Sequence, residues 1–142
     1  MLLTIEKVMM LRAVSMFEDT GEGILAEVAS ILGEVEAKAG DRLVEEGDFG
    51  TTMYVIVEGQ VRVHTGEQTI AVPGERDVFG ELSALDPERR SASVTAVCDT
   101  RLLSLDHEVL FELMSERMEV AWGIIRFLCR RYHRGVGLAR GE

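Results

Sequence analysis

The sequence predicts a mainly β fold of the α+β class, with a small antiparallel barrel between helical ends. Two observations predict it. Glycine-punctuated, valine-rich segments fill the middle of the chain, with seven glycines between residues 35 and 80, and short strands separated by such turns indicate an antiparallel sandwich or barrel. Apolar residues on either side of that region recur at helical rather than alternating spacing. The 142 residues suit one domain, and 46% hydrophobic residues are enough for a core.

The elements follow in order. Residues 1–33 form the N-terminal helical segment. Ile5, Val8, Met9, Leu11 and Val14 fall at helical spacing, and Ile24, Leu25, Val28, Ile31 and Leu32 form a second set. Between them Asp19-Thr20-Gly21-Glu22 reads as a capping sequence. Residues 34–105 form the β region. Met53 to Val57 is a continuous apolar run, as a buried strand requires. Val61 to His64 and Thr69 to Val72 flank the turn Thr65-Gly66-Glu67-Gln68 and predict a hairpin. Val61, Val63, Ile70 and Val72 are expected to line the barrel. Ser91 to Val97 and Arg101 to Leu105 are further strands. Residues 106–142 return to helical period, with Leu110, Leu113 and Met114 in one helix. A longer one carries Val120, Ala121, Ile124, Ile125, Phe127 and Leu128 and ends near Arg134, with Gly135 and Gly137 as stops. Trp122 is expected in the core or a dimer contact, and the seven methionines in packing.

Composition excludes several functions. A net charge of −10 argues against nucleic-acid binding, which relies on basic patches. Cys98 and Cys129 form no CxxC pair, as in a reduced cytoplasmic protein. No apolar run reaches transmembrane length, and the MLLTIEKVMM start lacks the order of a signal peptide. The abrupt start reads as a domain cut from a longer protein. His64, His107 and His133 are not clustered, so no metal site is expected, and no nucleophile elbow is present. No enzymatic activity and no cofactor are expected.

The densest chemistry lies in FGELSALDPERRSA, Phe79 to Ala92. Gly80 lets a backbone approach a ligand. Residues 81–85 can form a short helical turn with outward N–H groups. An arginine at 89 or 90 offers a forked donor to phosphate oxygens. Glu81 accepts hydrogen bonds only, so beside a phosphate it suits a neighbouring hydroxyl. A carboxylate for a sugar hydroxyl and a guanidinium for the attached phosphate describe a ribose-phosphate. The competing account makes Arg89 and Arg90 surface residues that balance Asp86 and Glu88.

Phe79-Gly80-Glu81-Leu82-Ser83 and Arg90-Ser91-Ala92 resemble the phosphate-binding cassette of the cyclic nucleotide-binding domain family, as found in catabolite activators and in regulatory subunits of cyclic nucleotide-dependent kinases. Leu43-Val44, Gly47-Asp48, Gly50, Met53-Tyr54-Val55-Ile56 and Gly59 repeat a second pattern of the family in the same order. The resemblance covers roughly residues 10 to 134 and implies an eight-stranded β jelly roll with N-terminal helices and two C-terminal helices. It implies that Glu81 accepts the ribose 2′-hydroxyl and Arg90 pairs with the cyclic phosphate. Backbone N–H groups around Ser83 and Ala84 would assist, Gly80 would permit the approach, and Phe79, Leu82 and Ala92 complete the cassette. Ser91 would touch the phosphate or a guanine edge, which leans to cyclic AMP and leaves cyclic GMP open. Ala84 departs from the usual leucine or isoleucine and thins one wall. Arg89 is read as a rim residue. Gly47, Gly50 and Gly59 are read as turn residues. Tyr132 and His133 are lid candidates.

The implied function is a cyclic nucleotide-binding regulatory domain that signals to an attached or partner module through its C-terminal helices. The alternative is a degenerate domain that binds no nucleotide and docks or dimerises through Val120 to Leu128. Only eight residues follow Arg134, so no helix-turn-helix of the catabolite-activator kind is expected in this chain, nor direct DNA binding or membrane insertion.

Overall fold

The computed structural model describes residues 2–139. The helices are α1 (Thr4–Arg12), α2 (Glu22–Ser30), α3 (Glu81–Leu85), α4 (His107–Glu116) and α5 (Met118–Ala139), with a 3-10 turn at Ser15–Phe17. The strands are β1 (Gly33–Ala37), β2 (Arg42–Val44), β3 (Phe49–Gly50), β4 (Thr52–Glu58), β5 (Val61–Thr65), β6 (Gln68–Ala71), β7 (Val78–Phe79), β8 (Glu88–Arg89), β9 (Ser93–Ala96) and β10 (Thr100–Asp106).

Eight strands form two four-stranded antiparallel sheets, ordered β1-β10-β4-β7 and β2-β9-β5-β6. This is the expected jelly roll with flanking helices. The two-residue pair β3-β8 is an addition, and it joins the cassette to the loop before β4. The barrel core contains Val44, Ile56, Val61, Phe79, Val94 and Leu102, and burying each such large side chain contributes about 1.5–3 kcal/mol. The expected hairpin is present. A two-residue Gly66-Glu67 connection joins β5 to β6, with Gly66 at φ 58°, the sign that a primed turn needs.

The chain divides into two compact units, Ile31–Phe111 and Leu2–Ser30 with the segment from Glu112 onward. In the second unit α1 packs on α2, and α5 packs on the 3-10 turn. Val8, Leu11, Val14, Leu25 and Val28 are buried there as the spacing predicts, together with Val120, Ile124 and Phe127 of α5.

Several expectations are corrected. The capping sequence at Asp19–Glu22 does not cap. Gly21 precedes α2 and its carbonyl takes the Leu25 N–H at 2.9 Å. Asp19 instead pairs with Arg130 of α5, because a charged partner outcompetes a local amide. Gly135 and Gly137 do not end α5, which runs to Ala139. Ile70 and Val72 do not line the barrel and are exposed: all four residues of the edge strand β6 face solvent, and Val72 lies just past its end. Trp122 is not in the core. The methionines are divided, with Met16 and Met53 buried and Met9 and Met118 exposed.

Candidate functional site

Strand β7 ends at Phe79, which stacks on Tyr54 of β4 with ring centroids 5.1 Å apart. Gly80 then turns the chain at φ 72°, a left-handed conformation costly for any residue with a Cβ. A Cβ there would lie 2.8 Å from the Thr52 carbonyl oxygen and 2.7 Å from Arg90 Nη1. The turn launches α3, whose first bond runs from the Ser83 N–H to the Gly80 carbonyl at 3.0 Å. After Pro87 the chain returns as β8. The Arg90 N–H donates to the Asp48 carbonyl at 2.7 Å, and the Gly47 N–H donates to the Arg90 carbonyl at 2.9 Å. Arg89 Nη1 donates to the Gly47 carbonyl at 2.9 Å. Arg89 therefore ties the 47–50 loop to the cassette.

Arg90 is the partly buried cation at the centre of this arrangement. Nη1 donates to Ser83 Oγ at 2.9 Å and Nη2 to the Thr52 carbonyl at 2.7 Å. Burial lowers its pKa below the ordinary guanidinium range, against a smaller opposing effect of Tyr54, and the group stays charged. Its acceptors are neutral oxygens, which leaves the charge uncompensated by them. Among the described residues neither Arg89 nor Arg90 ion-pairs with Asp86 or Glu88, so the charge-balancing account of the pair is not what the structure contains. Glu81 opens α3 with Oε1 shielded from solvent.

Beside Arg90 lies a cleft of about 200 Å³ lined by Leu43, Gly50, Thr51, Thr52 and Tyr54 among others. Larger hollows of about 490 and 460 Å³ run along β1 and β10. Their Arg101 faces Glu58 at 3.7 Å, so they offer an anion less than the smaller cleft does.

The predicted residues are not all alike in placement. Gly80, Ser83 and Arg90 converge, and Glu81 follows Gly80 as the first residue of α3. Phe79 belongs to the core cluster. Leu82 is exposed, Ala84 is buried, Ser91 is exposed and Ala92 is half-buried. The Ser83 N–H is engaged by Gly80, and it is the Ser83 hydroxyl that reaches Arg90. The Ala84 carbonyl accepts from His107 Nδ1 at 2.7 Å. Tyr132 and His133 are exposed on α5, with ring centroids 6.0 Å apart.

Sequence reasoning missed Gly50, Thr52, Asp106 and His107. The sequence assigns Gly50 to a turn. Its role is room, because a Cβ would lie 2.0 Å from Arg90 Nε. Gly47 and Gly59 do hold left-handed φ values of 88° and 107°, as turn residues should.

A model described as the cyclic nucleotide-binding domain matches residues 34–117. The chain belongs to the cyclic nucleotide-binding domain family. Among relatives of this domain, a CRP-like cAMP-activated global transcriptional regulator of Mycobacterium tuberculosis is 29% identical over 123 residues, covering 83% of this chain and 55% of that protein. The cyclic AMP receptor protein of Thermus thermophilus is 39% identical over 97 residues, covering 65% and 45%. The domain thus spans about half the length of these curated relatives. Among solved structures, the N-terminal domain of a transcriptional regulator from Streptomyces coelicolor superposes with a TM-score of 0.87 at 33% identity, covering 92% of this chain and 94% of that one. Among the described residues, no helix of the cyclic nucleotide-binding domain is long and apolar enough to cross a membrane.

Proposed function

We propose that this chain is a cytoplasmic sensor that binds cyclic AMP and passes the binding event to an attached or partner module through its C-terminal helices, without turning the ligand over and without a metal or other cofactor. The observation that carries the reading is Arg90, a half-buried guanidinium hydrogen-bonded to neutral oxygens beside the cleft. A cyclic phosphate would supply the missing negative charge, and Glu81 at the head of α3 would accept the ribose hydroxyl. Gly80, Ser83 and Gly50 give the guanidinium its space and orientation. The cAMP-activated regulators among the relatives support cyclic AMP as the ligand. Exposed free cysteines at 98 and 129 fit a reducing compartment. Tyr132 and His133 would close over the base as a lid.

A charge-assisted hydrogen bond contributes about 1.5–3 kcal/mol, and tenfold in affinity corresponds to about 1.4 kcal/mol. Titration calorimetry with cyclic AMP and cyclic GMP is the test. We expect saturable heat with cyclic AMP, and a loss of about tenfold or more in affinity for Arg90→Ala. No heat and no thermal shift at about millimolar ligand, which would stabilise a site of about 10 μM Kd by about 2.7 kcal/mol, would defeat the reading.

One observation favours an interaction role alongside the sensor. The outer face of α5 exposes Met118, Trp122, Ile125, Leu128 and Tyr132. We propose that this face pairs with a second copy of the chain.

A further inference from the structure

Thr52 touches the site on one side and the start of α4 on the other. Its carbonyl takes the Arg90 Nη2 bond at 2.7 Å. Its hydroxyl donates to Asp106 Oδ1 at 3.0 Å, beside the Thr51 hydroxyl, which donates to the same oxygen at 2.8 Å. Thr52 and Asp106 face each other in the β4–β10 register. The second oxygen, Asp106 Oδ2, accepts the Glu108 N–H at 3.1 Å and so caps α4. The His107 N–H donates to the Thr51 carbonyl at 2.8 Å. His107 Nδ1 donates to the Ala84 carbonyl of α3 at 2.7 Å, the nitrogen being the donor because a carbonyl only accepts. The first turn of α4 is therefore tied both to the strand that holds Arg90 and to the cassette helix.

We infer that Asp106 is a positioning residue that passes the state of the Arg90 guanidinium to the first turn of α4 by way of Thr52. The physical reason is lack of slack. The Thr52 carbonyl is confined between Arg90 and Gly80, where even a Cβ on Gly80 would stand 2.8 Å from it. When an anion takes donors from the guanidinium, the carbonyl loses part of its partner. The peptide can adjust only by rotating the residue whose hydroxyl holds Asp106. The cap on Glu108 then differs between the two states, and α4 with it. Asp106 is held ionised for this task. Burial raises its pKa, but bonds from Thr51, Thr52 and the Glu108 N–H, with the charge of His107, hold it below the ordinary value. The inference rests on the nucleotide reading only for what perturbs Arg90 in the cell.

The test is a double-mutant cycle on the ligand-free chain, read by amide hydrogen exchange at Glu108 and Val109. Arg90→Gln and Thr52→Val should each speed exchange there about threefold or more, and the double variant should be no faster than the faster single one, because both cut the same connection. Thr52→Ser keeps the hydroxyl and should exchange as the parent does. The Ile56 amide, which donates to the Asp77 carbonyl in the barrel, reports folding in each variant. Should Thr52→Val not fold, Asp106→Asn takes its place in the cycle. Multiplying effects, no effect from either single change, or a Thr52→Ser that behaves like Thr52→Val would each overturn the inference. In a parallel arm, saturating cyclic AMP should move the Glu108 exchange of the parent chain in the direction of Arg90→Gln. A parent chain that ignores cyclic AMP counts against the ligand reading, while the cycle decides the connection on its own.

Discussion

Gly50 matters for the volume it leaves empty. Its φ lies outside the left-handed region that marks five other glycines, so alanine fits the backbone. The added Cβ would nevertheless meet Arg90 Nε at 2.0 Å and displace the guanidinium. Gly50→Ala should weaken cyclic AMP binding by about tenfold or more, roughly 1.4 kcal/mol, while the melting temperature stays within about 4 °C. Calorimetry and a thermal melt on one preparation separate the two effects. Asp106 gives a pH prediction. Its folded-state pKa lies below the ordinary 3.8, so the unfolded chain binds the proton more readily. Its contribution is fully present above that unfolded value and is lost as pH falls through the lower folded value. Asp106→Asn should therefore flatten that part of the acid profile, measured as the urea midpoint between about pH 5 and pH 2. Glu81 and Arg90 could be named as candidates from sequence because their residue types and nine-position spacing are written locally in one segment. Thr52 and Asp106 could not, since a threonine in a strand and an aspartate before a helix have ordinary local explanations.

At the scale of elements, α5 carries two apolar faces, one buried and one exposed. Val120, Ile124 and Phe127 point inward, while Met118, Trp122, Ile125, Cys129 and Tyr132 recur outside at the alternating four–three spacing of a coiled-coil seam. Phe127→Ala should cost about 3–5 kcal/mol in urea unfolding, as other buried aromatic truncations do. Ile125→Lys should leave that stability nearly intact and shift the sedimentation profile toward monomer. A seam variant that sediments as the parent does would remove the pairing proposal. The period of α5 was visible in the sequence, but its end was not. A glycine stops a helix when the chain turns left-handed there, and Gly135 keeps helical dihedrals at a cost of about 1 kcal/mol. The failed cap before α2 has a similar cause. Asp19 is drawn to Arg130, 111 positions away, and that pairing, with Glu18 as a second acceptor, raises the Arg130 pKa.

For the whole molecule, the net charge of −10 sets what the chain avoids. Binding of duplex DNA depends on neutralising phosphates, so these residues should give no mobility shift with duplex DNA at about 10 μM protein and about 150 mM salt. A salt-sensitive shift would overturn that expectation. An anionic ligand would instead have to be held locally, and Arg90 is the residue proposed to hold it. From sequence alone, period and glycine punctuation determined the helical ends, the hairpin and five of the barrel strands, β4, β5, β6, β9 and β10, and the cassette motif named the candidate residues of the site. These signals are local, written within a turn or two of the chain. Only the tertiary structure decided what Gly50 leaves room for, which oxygens hold Arg90, and how Asp106 joins that site to α4. Those contacts join residues 38 and 54 positions apart, and no spacing within a segment encodes which distant carbonyl or hydroxyl the fold will bring alongside.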